Sequence, residues 1–369
     1  MAAQSPLQGT PRQNGYAMPA EWEHHEATWI AWPHNASDWP GRFQPVPWVY
    51  ADIVRNLAQA EDVHVLVEGE AARKRATGVL KRAAANLSRV QFHLWPTNRV
   101  WLRDSGPIFV RKPAASEGSH ATVAITDWKF NAWAKYDDWQ LDDQIPGRVA
   151  SQLGMPQWEP AVPLSDGSSH RVVLEGGSID VNGAGILLTT EECLLSEVQQ
   201  RNPGLDREQL EKVFADFLGI EKVIWLGRGC AGDDTHGHVD DIARFVDANT
   251  IVTAIEPNTA DENHLPLAEN LDRIKSANNL NGEPFRVVEL PMPAPVVFDG
   301  QRLPASYANF YIGNDRVLVP TFNDPNDRRA LNLLAALFPS REVVGIHCRD
   351  FIWGLGAIHC MTQQQPAAL

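Results

Sequence analysis

The sequence predicts an α+β fold in which about five modules of strand, helix and hairpin close radially around one axis, each module spanning roughly 50–70 residues. Three observations predict it. Short polar or glycine-rich segments repeatedly open an apolar strand, a turn and a second apolar strand. Helical patterns with apolar residues at three- and four-residue spacing lie between these hairpins, and each is followed by a further apolar strand. The repeat is longer than that of ordinary solenoids, and a residue with chemical potential sits at the same place in each unit, which favours a radial arrangement over a linear stack.

The segment 1–15, polar and rich in Gly, Pro and Gln, is expected to be flexible, and 16–369 to form a single domain. Another irregular edge is expected from Lys112 to His120. Strands are expected over Val63–Val67 and Val90–Trp95. The first hairpin opens at Arg103-Asp104-Ser105-Gly106 and returns over 121–125; the second opens at Glu175-Gly176-Gly177 and returns over 185–189. The third opens at His238-Val239-Asp240 and returns over 250–254; the fourth opens at Tyr307-Ala308-Asn309 and returns over 316–320. The fifth opening is Ala357-Ile358-His359-Cys360, close to the end of the chain. Helices are expected over Asn263–Ser276 and Asp327–Phe338, with Asn326 and Asp327 offering N-cap chemistry, and strands over Lys222–Leu226, Phe285–Leu290 and Glu342–Ile346.

Composition narrows the function. An apolar content of 44% and a charged content of 21% in 369 residues describe an ordinary globular chain with room for a large core. No apolar run reaches the roughly 20 residues that span a bilayer, and the first residues lack the layout of a secretory signal. Four cysteines (Cys193, Cys230, Cys348, Cys360) are too few for a disulfide framework, so a reducing cytoplasm is the expected compartment. A formal charge of −14 argues against nucleic acid and anionic membrane as partners and favours a cationic small molecule. Exposed tryptophans among the 13 offer a face for self-association as a homo-oligomer.

The hairpin-opening residues Asp104, Glu175, His238, Asp240, Asn309 and Cys360 are three carboxylates, an imidazole, an amide and a thiol. A thiol with an imidazole supplies a nucleophile and a general acid/base. Carboxylates beside a thiol raise its pKa, and so make sense only if the substrate brings positive charge. A guanidinium is planar and permanently charged, and carboxylates bind it bidentately; Asp104 and Asp240 are placed to clamp one from two sides while Cys360 attacks its central carbon. Two other readings stay open. His236, His238, Asp240 and Asp241 form a His-x-His-x-Asp-Asp cluster, of which strand alternation would place His236, His238 and Asp240 on one face, as a metal-dependent hydrolase needs. A non-catalytic guanidine-binding protein would use the same carboxylates. Arg103 can pair a buried carboxylate structurally, the glycines after Glu175 can serve a tight turn, and Cys193, Cys230 and Cys348 receive no role.

A wider set of motifs then emerges. Met18-Pro19-Ala20-Glu21-Trp22, Trp101-Leu102-Arg103-Asp104-Ser105-Gly106-Pro107, Leu174-Glu175-Gly176-Gly177-Ser178, Gly237-His238-Val239-Asp240, Asn309-Phe310-Tyr311-Ile312 and Ile358-His359-Cys360-Met361-Thr362-Gln363-Gln364 occur in this order. From about Tyr16 to Ala367 the chain resembles the agmatine deiminase family, of the bacterial peptidyl-arginine deiminase type among guanidino-group-modifying enzymes. The resemblance implies a five-bladed pseudo-symmetric αβ-propeller with a central site and no metal or organic cofactor. It implies that Cys360 forms a covalent amidino-thioether, that His238 protonates the departing ammonia and then activates water, and that Asp104 and Asp240 grip the guanidinium. Glu175 matches the family's glutamate near the pocket, Trp101 would pack on the substrate, and Asp234 would receive its distal amine. Agmatine would yield N-carbamoylputrescine and ammonia, serving putrescine and polyamine synthesis. Two departures bear on the choice among agmatine, arginine and peptidyl-arginine. Gly354-Leu355-Gly356-Ala357 stands where agmatine deiminases commonly read Gly-Gly-Gly-Asn, and His236 stands where Asn or Asp is common.

Overall fold

The computed structural model of the chain describes residues 8–114, 120–163 and 167–368. One topological unit is built five times. Two antiparallel strands form a hairpin, a helix crosses, and a third strand lies parallel to the second. In the first unit Ile108–Lys112 pairs antiparallel with Thr122–Thr126, and after the helix Ile145–Leu153 the strand Gln157–Trp158 joins in parallel. The second joins Asp180–Val181, Ile186–Thr190 and Lys222–Leu226; the third joins Ala243–Asp247, Thr250–Ile255 and Arg286–Pro291. The fourth joins Tyr311–Ile312, Arg316–Thr321 and Glu342–His347. The parallel pairing requires a crossover, and the helices Arg207–Leu218, His264–Ser276 and Pro325–Leu337 supply it.

The fifth unit draws on both ends of the chain. Gln363–Pro366 pairs antiparallel with His25–Ala31, which is followed in the sheet by Asp62–Leu66 and Val90–His93, both parallel. The hairpin that opens at Cys360 therefore finds its return strand more than three hundred residues upstream, so no local pattern reveals it. The strand expected over Val90–Trp95 stops at His93, and the segment after it runs irregularly to Trp101.

The helix starts show capping chemistry. Asp206 and Gln209 form a capping box on Arg207–Leu218. On Pro325–Leu337 the cap is Asp324, bonded reciprocally with Asp327, two or three residues before the expected Asn326 or Asp327; Pro325 fits the first helical position because it has no N–H to satisfy. Residues 1–7 of the segment expected to be flexible, and 115–119 of the irregular edge, lie outside the described residues. Residues 8–15 carry a short turn at Arg12–Asn14, and the Gly9 carbonyl accepts from Trp158 Nε1 at 2.9 Å. Apolar side chains of the sheets and crossing helices bury one large cluster and two smaller ones. No helix among the described residues is long and apolar enough to cross a membrane.

A short turn precedes each hairpin: Leu102–Ser105, Gly176–Ser178, Val239–Asp241, the 306–310 segment and Ile358–Met361. The turn at Leu102–Ser105 packs against both Gly176–Ser178 and Ile358–Met361, and Gly176–Ser178 packs against Val239–Asp241. Residues scattered over 250 positions of sequence thus meet at one place.

Candidate active site

Cys360 sits in the last of these turns, almost wholly buried, on the wall of a cavity of about 340 Å³. Asn309 sets its position. The Asn309 side-chain oxygen accepts from the backbone N–H of His359 at 2.9 Å, and its Nδ2 donates to Cys360 Sγ at 3.0 Å and to Asp241 Oδ1 at 3.0 Å. Cys360 Sγ also lies 3.8 Å from Asp240 Oδ2. Burial, Asp240, Asp241 and Asp104 push the thiol well above its ordinary pKa. The free site therefore holds a neutral thiol, as the crowd of carboxylates suggested.

His238 is completely buried between two groups of acids. Its Nδ1 lies 3.7 Å from Asp104 Oδ1 and 4.0 Å from Asp240 Oδ1, and its Nε2 lies 3.8 Å from Glu175 Oε2. Burial alone would keep the imidazole neutral, but Asp104, Cys193 and Glu175 outweigh it and raise the pKa well above the ordinary value. Glu175 shows the opposite balance. Burial raises its carboxyl, yet the Arg201 guanidinium, 3.1 Å away, and His238 bring it down to about 2.

Asp104 is pushed up to about 7, mainly by burial, with His238 opposing and Asp240 and Glu175 adding. Its oxygens accept from Trp133 Nε1 at 3.0 Å and from the Gly177 N–H at 3.1 Å. Asp240 moves down: burial raises it, but His359 and His238 outweigh the effect. His238 Nδ1 and Asp240 Oδ1 have no hydrogen-bond partner among the described residues, so neither is committed to another protein group. Gly177 explains why the acids and the imidazole come so close. A Cβ there would sit 2.5 Å from His238 Nδ1 and 2.8 Å from Asp104 Oδ1. Gly356 plays the same part under Trp101, where a Cβ would meet the indole at 2.8 Å.

The cavity carries Trp101 and Trp133 on its walls and reaches Asp38, Arg99, Tyr136 and Asp234 away from the thiol. Trp101 is fixed by Trp39 and Phe351. Asp234 is already engaged: Lys135 Nζ pairs with one oxygen, and the Tyr136 hydroxyl donates to the other at 2.7 Å.

The seven residues singled out, Cys360, His238, Asp104, Asp240, Trp101, Glu175 and Asp234, are all within or directly beside this site. The four-residue metal cluster is not assembled. The stretch 233–242 is a turn followed by the short helix Val239–Asp241, not a strand, so alternation does not apply. His236 takes positive φ, points its Nε2 at Ser196 Oγ (3.1 Å), and lines an outer groove with Glu191 and Arg228. The close triplets among the described residues are Glu175 with Cys193 and His238, and Asp240 with Asp241 and Cys360.

Sequence reasoning missed the layer behind the site. His359 bridges Asp240 Oδ2 (2.6 Å) and Glu21 Oε2 (2.7 Å), and Glu21 pairs with Arg103 at 3.2 Å and Arg244 at 3.0 Å. Arg244 also pairs with Asp180 at 2.8 Å. Glu21 and His359 lie inside the quoted motifs, and the placement of ionisable residues within apolar surroundings was the signal available for them.

A buried thiol and imidazole among carboxylates, opening on a small cavity at the meeting point of repeated α/β units, define a thiol-bearing α/β protein built to face a cation. Residues 17–366 match the Porphyromonas-type peptidyl-arginine deiminase family, and the chain belongs to it. Agmatine deiminases of Stutzerimonas stutzeri and Pseudomonas syringae are 34% and 35% identical over 384 aligned positions, covering 98% of this chain and 98% of each relative. The solved agmatine deiminase of Enterococcus faecalis superposes with a TM-score of 0.87 at 30% identity, covering 99% of this chain and 100% of that one. A serine-for-cysteine variant of C. jejuni agmatine deiminase with substrate bound superposes at 0.83 and 28% identity, over 99% of each chain.

Proposed function

We propose that the protein is an agmatine deiminase, a hydrolase that releases ammonia from the guanidinium of agmatine and leaves N-carbamoylputrescine. The observation that carries this reading is the clustering of His238 and Asp240 directly behind Asp104 and Cys360, which line one small cavity, in a chain whose relatives share its whole length and are named for that activity.

In this reading Asp104 and Asp240 hold the guanidinium from two sides. Its charge then lowers the cost of the Cys360 thiolate and of the ionised Asp104, which burial opposes in the free site. The thiolate attacks the central carbon, and Asn309 Nδ2, 3.0 Å from the sulfur, steadies the anion before attack. Protonated His238 gives its proton to the leaving nitrogen, ammonia departs, and an amidino-thioether remains on Cys360. The neutral imidazole then takes a proton from water, which adds to the same carbon; the C–S bond breaks and the thiol is restored. Glu175, held ionised by Arg201, keeps His238 oriented and favours its charged form. Trp101 packs on the substrate's chain, and Asp234 receives the distal amine in competition with Lys135.

The far end favours agmatine over arginine. Asp234 and Asp38 lie there, and the cations beside them, Lys135 and Arg99, are already paired with acids. We further infer that residues 16–369 form a single domain whose five sheets are blades of an αβ-propeller, with the pairing of 363–366 on 25–31 closing the ring. Four free, buried cysteines support a reducing cytoplasm. Ammonia release from agmatine, arginine and an arginine-containing peptide tests the substrate. Agmatine should give the largest kcat/KM, and turnover of the peptide but not of agmatine would overturn the reading.

A further inference from the structure

The Nε2 side of His238, opposite the side that faces Asp104 and Asp240, has its own chemistry. Cys193 Sγ, a Glu175 carboxylate oxygen and a His238 ring nitrogen all lie within 4.8 Å of one another, fully buried. His238 Nε2 and Glu175 Oε2 stand 3.8 Å apart, and neither has a hydrogen-bond partner among the described residues. Glu175 spends only its other oxygen, Oε1, on Arg201. Cys193 is held rigidly, because its backbone N–H donates at 3.0 Å to Thr190 Oγ1 at the start of the helix Glu191–Leu195. Two unpartnered polar atoms and a thiol thus converge on one point where the deimination steps make or break no bond, although Glu175 orients His238 from there.

We propose that this triplet is an inhibitory site for zinc or another borderline-soft divalent cation. The donor set is of the sulfur, nitrogen and oxygen type that zinc takes, with three protein ligands and a fourth position left over. Zinc–ligand bonds of about 2.0–2.3 Å place neighbouring donors roughly 3.3–3.8 Å apart around a tetrahedral ion, close to the Nε2–Oε2 separation seen here. Binding is balanced simply. The Cys193 thiol and the His238 imidazolium each release one proton to solvent, the now neutral imidazole binds through Nε2 and keeps its proton on Nδ1, and Glu175 binds through Oε2 while Arg201 keeps Oε1. One thiolate and one carboxylate then neutralise the ion, so burying it leaves no net charge on the cluster. The consequence rests on the deiminase reading: a metallated His238 can neither protonate ammonia nor activate water, so zinc blocks turnover from behind the base without touching Cys360.

The rival explanation for zinc inhibition is capture by Cys360 with Asp240 and Asp241, and the test separates the two. Full-length Cys360→Ser protein is titrated with cobalt(II), whose thiolate charge-transfer band reports sulfur ligation. One equivalent should raise the band, and the Cys193→Ser/Cys360→Ser double variant should lack it. No band in Cys360→Ser overturns the site without any change at Cys193. A band that persists in the double variant puts the metal on Cys230 or Cys348 and overturns it too. In the otherwise native enzyme, Cys193→Ser should weaken zinc inhibition of ammonia release about tenfold or more; unchanged inhibition would overturn the inhibitory role. The cobalt band is read in a protein that cannot turn over. Its absence therefore counts against the metal site even if agmatine is the substrate, and its presence stands even if agmatine is not.

Discussion

Cys360 and His238 are both displaced upward from their ordinary pKa values, for opposite reasons: the thiol by burial and three carboxylates, the imidazole by carboxylates that overcome burial. A free enzyme near neutral pH therefore holds thiol and imidazolium, and the reactive thiolate–imidazolium pair is its minor form. A bound guanidinium reverses the penalty on the thiolate. Both kcat/KM and kcat should be bell-shaped in pH, rising as Cys360 ionises and falling as His238 loses its proton. Because kcat/KM reports free enzyme and kcat the substrate complex, the rising limb of kcat should lie at lower pH. Coincident rising limbs in the two profiles would refute activation by the substrate's charge. At this scale the sequence was most legible: unusual residue types at the head of each hairpin announced Cys360, His238, Asp104 and Asp240. His359 and Glu21 did not announce themselves, since a residue whose job is to neutralise a buried neighbour is recognisable only once that neighbour's position is known.

The elements do their work through the turns that open the hairpins. Each is short, buried and glycine- or amide-assisted, and each places at least one functional side chain at the meeting point, the third placing both His238 and Asp240. Gly177 shows how tight the fit is, because its missing Cβ is the space occupied by His238 Nδ1 and the Asp104 and Asp240 oxygens. Gly177→Ala should cost about 1–3 kcal/mol in stability by overpacking, and should also lower kcat by displacing the imidazole from the acids. Denaturant unfolding and agmatine turnover measure both; a variant with native kcat would show that the imidazole's position is not critical. The hairpins, the crossing helices over 264–276 and 325–337 and the third strands over 222–226, 286–291 and 342–347 were legible from apolar periodicity, whereas the helices Ile145–Leu153 and Arg207–Leu218 and the strand Gln157–Trp158 were not read. The failure came at 233–242, where alternation suggested a strand and the chain instead turns through positive φ at His236 and Gly237. Glycine and the Asp233 carboxylate, which accepts from the N–H groups of Thr235, Gly237 and His238, override a weak β pattern there.

For the molecule as a whole, the fifth sheet is decisive, because it ties residues 363–366 to 25–31 and so fixes the nucleophile's turn through the chain's two ends. That pairing was illegible locally, as it joins segments that no sequence window contains. The same region is locked by charge. Glu21 follows the N-terminal segment and joins Arg103, Arg244 and His359 in one buried network. Burial raises its carboxyl, yet Arg244, His359 and Arg103 hold it well below the usual range. A depressed carboxyl contributes stability that is fully present above its unfolded pKa of about 4.3 and is lost as pH falls through the folded value. Glu21→Gln leaves the guanidinium groups of Arg103 and Arg244 undercompensated and should cost about 3–5 kcal/mol. Urea unfolding at neutral pH checks this, and the difference from the native protein should shrink in acid. A loss that does not shrink on acidification would show that the ion network is not its cause.

The central claim is that Cys360 becomes covalently bonded to the guanidinium carbon and thereby releases ammonia. Acid-quenching the enzyme during turnover of agmatine, followed by peptide mass spectrometry, tests it most directly. The account predicts that the peptide carrying Cys360 gains the mass of agmatine less one ammonia, and that this species disappears in Cys360→Ala together with ammonia release. An unmodified Cys360 peptide during turnover, with ammonia still released by folded Cys360→Ala protein, would contradict it.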